Sequence, residues 1–315
     1  MKNQILLFAD DVKMCAKASN PDINQGDIDN MIRWQNQWLL TFNIIDSKCK
    51  VMHIGTTNPH HTYFIDGTPL PSVDEEKDLG VLMSSNYKWE NHINKCIKKA
   101  NSCTAWIARN IISRDKDVML QLYTSLVRPH LEYCVQLWNP KACHGNWALI
   151  MNIEDVQRRY TRLIDGIGSM TYRERLDKLK ITTLIERRAR GDLIESFKII
   201  NDLVNYGQDM FNVSRSGHKL VYPTGKLNKL QNEFFSQRVL PYWNKLSNSV
   251  KSCSTVNEFK TKLRNFKSNC KNPKGQFWEL SEEVFSRIND TGREGHIEFL
   301  RDNPDIAKRK RINIY

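Results

Sequence analysis

No stretch of this 315-residue chain comes near the roughly 18 consecutive apolar residues that a membrane-spanning helix requires, so no spanning segment is expected. The apolar start, Ile5-Leu6-Leu7-Phe8, is interrupted by Asp10 and Asp11, far too early for a secretory leader. The expected location is therefore intracellular, cytoplasmic or nuclear. The eight cysteines include no Cys-x-x-Cys pair and no Cys/His spacing typical of zinc, so they read as reduced structural thiols. Internal repeats and low-complexity tracts are missing as well. Acidic residues run short: 35 Asp and Glu face 47 Lys and Arg, a formal net charge of +12 that favours polyanions such as nucleic acid or an anionic membrane surface. The length suffices to bury a substantial core and predicts two domains or more.

What the chain does contain, first, is the stretch Ile5-Leu6-Leu7-Phe8-Ala9-Asp10-Asp11-Val12-Lys13-Met14. Four apolar residues of strand type run into two adjacent acids, and an apolar–polar alternation runs out again. That pattern predicts a tight β-hairpin with carboxylates at its tip. Neighbouring carboxylates repel each other at neutral pH. They are tolerated at a turn either because water solvates them or because a divalent cation is held there, and the pair alone leaves both readings open.

Beyond the hairpin, Ser19-Asn20-Pro21-Asp22 reads as a turn and helix cap. Ile28, Met31, Ile32, Trp38, Leu39 and Phe42 predict one amphipathic helix over 23–43. Strands are expected at 48–55, at 62–66 with a hairpin signal at Asp66-Gly67, and at 77–83. Past residue 85 strand signals fade. Ile93, Cys96, Ile97, Ala100, Cys103, Thr104, Ile107 and Ile111 form an apolar helical stripe with Lys95, Lys98 and Lys99 on the opposite face. Those lysines are either an ordinary solvated face or a phosphate contact. A helix over 115–138 must be kinked or divided at Pro129. Further helical stripes start at Leu149 and Ile185, 206–232 reads as a connection, and helices are expected at 234–247 and 255–268. From Asn272 the composition changes, ending in the basic cluster Lys308-Arg309-Lys310-Arg311, a nuclear-import signal or a solvated tail. The expected fold class is α+β, predominantly α, with a small antiparallel sheet first and helices after it.

Taken in order, these segments resemble the C-terminal part of a non-LTR (LINE-type) retrotransposon reverse transcriptase, nearest the jockey-like and chicken-repeat-like branch. Phe8-Ala9-Asp10-Asp11 resembles the family's metal-binding hairpin. Phe42-Asn43, Lys48-Cys49 and Met52-His53-Ile54-Gly55 resemble the next palm motif, and Lys77-Asp78-Leu79-Gly80-Val81 with His92-Ile93 the segment that grips the primer. Tyr123 to Tyr133 and Leu137-Trp138-Asn139-Pro140 look like the thumb. Val156-Gln157-Arg158-Arg159, Arg187 to Glu195, and Phe234 to Val239 before Trp243-Asn244 extend the series to about residue 268.

The resemblance implies the back half of a palm over 1–85, thumb-like helices over 86–145 and a helical C-terminal region over 146–271, and leaves 272–315 as a tail of unknown origin. It implies RNA-directed DNA polymerase (nucleotidyltransferase) chemistry with Mg²⁺, on an RNA template and DNA primer or an RNA–DNA hybrid, with no membrane. Asp10 and Asp11 would be the metal ligands, Asp10 the shared one, and Lys48 would sit near the incoming triphosphate unless it is an ordinary solvent-facing lysine. The family's other palm aspartate, its fingers and its endonuclease precede the first residue here, so the chain is expected to be inactive alone. Arg158, Arg159, Arg162, Arg187, Arg188 and Arg190 would contact phosphates with little sequence preference, or else pair with Glu154, Asp155, Glu186 and Asp192 and serve only structure. A non-catalytic nucleic-acid-binding remnant and a host-gene chimera, its role carried by the tail, are the alternative readings.

Overall fold

Ala9 and Asp10 reverse the chain between strands β1 (Gln4–Phe8) and β2 (Asp11–Cys15), paired antiparallel with Phe8 opposite Asp11 and Gln4 opposite Cys15. Strand alternation therefore puts Ile5, Leu7, Val12 and Met14 on one face and Leu6, Phe8, Asp11 and Lys13 on the other. The computed structural model describes residues 2–40, 42–43, 48–55, 57–142, 144–215, 217–269 and 276–288 of a chain that divides into two compact units, Met1–Asn91 and His92–Tyr315. It is a mixed α+β structure, mostly helical, whose sheets are small antiparallel pairs.

In the first unit, Met14 packs on a core of Ile28, Ile32, Tyr63 and Ile65. Ile28 and Ile32 come from helix α1 (Pro21–Trp38), which Pro21 opens without losing a hydrogen bond and Leu39 ends by taking a left-handed φ of 54°. Buried polar groups fix the helix to its neighbours: Asp27 accepts from the backbone amides of Lys2 and Asn3, and the Asn24 side chain donates to the Tyr63 hydroxyl at 3.0 Å. Strands β3 (Phe64–Ile65) and β4 (Thr68–Pro69) turn at Asp66-Gly67, both with positive φ, as the sequence signal requires.

Two expected strands differ. Of 48–55 only Val51 pairs, in a single bridge to Ser72. The facing segment carries Pro69 and Pro71, which have no N–H to extend a ladder. The expected strand 77–83 is instead a hairpin, β5 (Glu75–Asp78) and β6 (Val81–Ser84), because Leu79 and Gly80 take the positive φ values of a turn.

The second unit begins within helix α2 (Glu90–Asn110). The expected 115–138 helix is divided into α3 (Lys116–Leu122), one π turn (Tyr123–Val127), α4 (Pro129–Glu132) and α5 (Val135–Trp138). Pro129 can only open a helix, and Cys134 breaks the chain with φ 55°. Then come α6 (Trp147–Thr161), α7 (Tyr172–Leu179), α8 (Leu184–Ile200), four short helices α9 (Lys229–Glu233), α10 (Phe235–Arg238), α11 (Leu240–Lys245) and α12 (Asn248–Lys251), and the longer α13 (Val256–Asn269) and α14 (Glu279–Arg287).

Leu193, Phe197, Trp243, Phe259, Leu263 and Phe277 lie in one core, where the Phe197 and Phe259 rings stack at 4.3 Å. Ile150, Tyr172, Leu176, Ile185 and Val284 make another. Phe277 and Trp278 belong to the first of these cores and Val284 to the second, so 276–288 packs into this unit. The Lys308–Arg311 cluster lies outside the described residues. No helix among the described residues is long and apolar enough to cross a membrane.

Candidate metal centre and nucleic-acid interface

The tip of the first hairpin is built by local sequence. Ala9 has φ 52° while Asp10 does not share the positive sign, the φ pattern of a type II′ turn, whose twist matches that of the flanking strands. Asp10 is thus the second turn residue and Asp11 the first paired residue of β2, and both are exposed. Among the described residues neither carboxylate has an ion-pair or hydrogen-bond partner. The nearest cation on the same strand face, Lys13, is engaged elsewhere: its ammonium pairs with Asp78 at the end of β5. That pair went unforeseen in sequence because 65 residues separate its members. Lys48 is exposed in an irregular segment, not at a strand start, because no strand forms there.

The donor chemistry of this tip fits a hard divalent cation. Among the described residues no group of three or more His, Cys, Asp or Glu is placed to hold a metal. Mg²⁺ does not need one, since it keeps several waters and is commonly held by one or two carboxylates plus substrate phosphates. Asp10 and Asp11, adjacent in sequence and both exposed, are the carboxylates that would hold such an ion here.

In the second unit, α2 buries Ile93, Ala100, Ile107 and Ala108 and exposes Lys95, Lys98 and Lys99. At 100° per residue these lysines share a face about 100° wide with Ser102, Trp106 and Arg109. Trp106 and Arg109 extend the pattern at four and seven residues past Ser102, a helical spacing that the sequence carries beyond the lysine run. Residues 91–110 contain no acid, and none of the four cations has an ion-pair partner among the described residues.

The six arginines separate by burial. Arg162 and Arg188 are only 2% and 1% exposed, so neither is presented to a polyanion; this corrects the phosphate-contact expectation for both. Arg188 donates from Nε to Asn139 at 2.9 Å, and its Nη1 and Nη2 have no partner among the described residues. Arg158 pairs with Asp155 at 2.7 Å, as the structural alternative expected, and Arg187 grips Glu132 with Nε and Nη2. Arg190 is half-buried, and burial, followed by the Arg187 and Arg264 guanidinium groups, lowers its pKa. Arg159 alone of the six is exposed.

The expected acidic partners are used differently. Asp192 is bound by Arg238 through Nε at 2.9 Å and Nη2 at 3.0 Å, and by the Asn139 amide at 3.1 Å. Glu186 pairs with Lys267 at 2.5 Å. Glu154, fully buried, accepts from the Tyr172 hydroxyl at 2.5 Å and the backbone amides of Leu184 and Ile185, so it caps the N-terminus of α8. Asn139, Arg188, Asp192 and Arg238 therefore form a buried polar cluster that ties together the segments 137–140, 187–195 and 234–239. Compared with known proteins, the chain matches no family model, no curated protein and no solved structure.

Proposed function

We propose that this chain is part of a non-LTR retrotransposon reverse transcriptase, from the metal-binding hairpin of the palm through the thumb into the C-terminal region, in which Asp10 and Asp11 hold a catalytic Mg²⁺. The observation that supports it is the hairpin itself: two adjacent carboxylates at a two-residue turn, exposed and unclaimed by any described cation. A divalent ion held there would stabilise negative charge building on transferring phosphates during RNA-directed DNA synthesis. The part of this chain is to position it. Ala9 fixes the turn, Asp10 and Asp11 supply oxygen, and the Lys13–Asp78 pair keeps a nearby ammonium from competing for Asp11.

Two carboxylates hold one ion, whereas phosphoryl transfer by two ions needs further ligands and groups that orient template and nucleotide. Primer extension with this chain alone is expected to give no incorporation. The proposal is tested by the Mg²⁺ dependence of binding to an RNA–DNA hybrid. Mg²⁺ should strengthen binding by the wild type and leave an Asp10→Asn/Asp11→Asn variant unaffected; a response identical in both proteins would overturn it.

A second reading, a non-catalytic nucleic-acid-binding protein, is favoured by the acid-free cationic face of α2, which attracts polyanions whether or not a metal is held elsewhere.

A further inference from the structure

Trp106 belongs to none of the hydrophobic cores among the described residues: it is 51% exposed on the cationic face of α2. Along that face Lys95, Lys98 and Lys99 precede the indole and Arg109 follows it, over 15 residues or about 21 Å of helix. The nearest acids in sequence are Glu90 at the helix start and Asp115 and Asp117 beyond its end, and Asp115 is occupied in capping α3.

We propose that this face binds single-stranded nucleic acid, with Trp106 as the platform on which an unpaired base stacks and Lys95, Lys98, Lys99 and Arg109 tracking the phosphates. Cations alone hold duplex and single strand alike, since both offer phosphates. An exposed indole set among them adds a contact that only an unpaired base can make with its full ring face. An anionic membrane is the poorer match. The apolar face of α2 is buried in its own unit, and one indole is not the broad apolar surface that an interfacial helix inserts. This inference rests on the second reading above and is independent of the metal at the hairpin.

The test is fluorescence anisotropy with the full chain, using labelled oligo(dT), a duplex of equal length and anionic lipid vesicles, without divalent cation. The wild type should prefer oligo(dT). Trp106→Ala should weaken that binding roughly 5- to 150-fold, the range for loss of one base stack. Trp106→Phe should recover part of it, and duplex binding should not change. Replacing all four cations with Gln should reduce the salt slope by about 3, whereas Trp106→Ala should leave the slope alone. Equal binding of oligo(dT) and duplex, with no effect of Trp106→Ala, would overturn the stacking platform while leaving the cationic face. No binding of either at low salt, or Trp106-dependent binding of vesicles in preference to oligo(dT), would overturn the proposal entirely. A Mg²⁺ response that persists unchanged in the hairpin variant, by contrast, overturns only the reverse transcriptase reading. Far-UV circular dichroism of each variant separates loss of binding from loss of fold.

Discussion

Ala9 holds a left-handed backbone conformation that costs an L-residue about 1–2 kcal/mol, in the turn that carries Asp10. Glycine has no such penalty, although it loses more freedom on folding. Ala9→Gly is therefore expected to stabilise the first unit by up to about 1 kcal/mol, read from the urea midpoint of a probe confined to that unit; destabilisation would mean that the methyl group packs. Two histidines of the second unit set a pH dependence. Burial, then Lys95, lowers the pKa of His92, and burial, then Lys99, lowers that of His130. On acidification below about pH 6.5 the unfolded chain takes up protons that the folded chain resists, so these histidines make stability fall as pH falls. Glu154 works in the opposite sense, because burial raises its pKa despite the Tyr172 hydroxyl and Arg188. The histidine share is isolated by difference: the loss of urea midpoint between pH 7.5 and 5.5 should be smaller in a His92→Gln/His130→Gln variant than in the wild type.

Among the elements, α7 starts with a complete capping box, in which Thr171 accepts from the Glu174 amide and Glu174 from the Thr171 amide. Thr171→Ala should cost about 1 kcal/mol of stability. Asp192 joins α8 to α10 through a buried two-point contact with Arg238. Asp192→Ala leaves a buried guanidinium without its counter-charge and should cost about 3–5 kcal/mol; a cost below 1 kcal/mol would show that water reaches Arg238. The β1–β2 and β5–β6 hairpins meet through Lys13 and Asp78. Asp78→Asn releases that ammonium toward Asp11, two residues away on the same strand face, and should weaken metal binding at the tip several-fold.

At the scale of the whole molecule, what the sequence revealed was what neighbours in the chain decide. The hairpin at Ala9-Asp10 and the turn at Asp66-Gly67 were legible because strand alternation and turn chemistry are local. The arginines were not. Arg187 finds Glu132 and Arg188 finds Asn139 about fifty positions away, beyond any reading by helical spacing. The Val51 segment failed as a strand for a partner's reason, the prolines facing it. The 276–288 segment looked foreign in composition, yet Phe277, Trp278 and Val284 complete cores begun by α8 and α6.

Whether the hairpin tip holds a divalent ion is measured most directly by paramagnetic line broadening. With Mn²⁺ titrated into isotopically labelled protein, amide signals of residues 8–12 should broaden first, Mg²⁺ should reverse the effect, and Asp10→Asn/Asp11→Asn should abolish it. Broadening that begins elsewhere, or that survives the double substitution, would contradict the account.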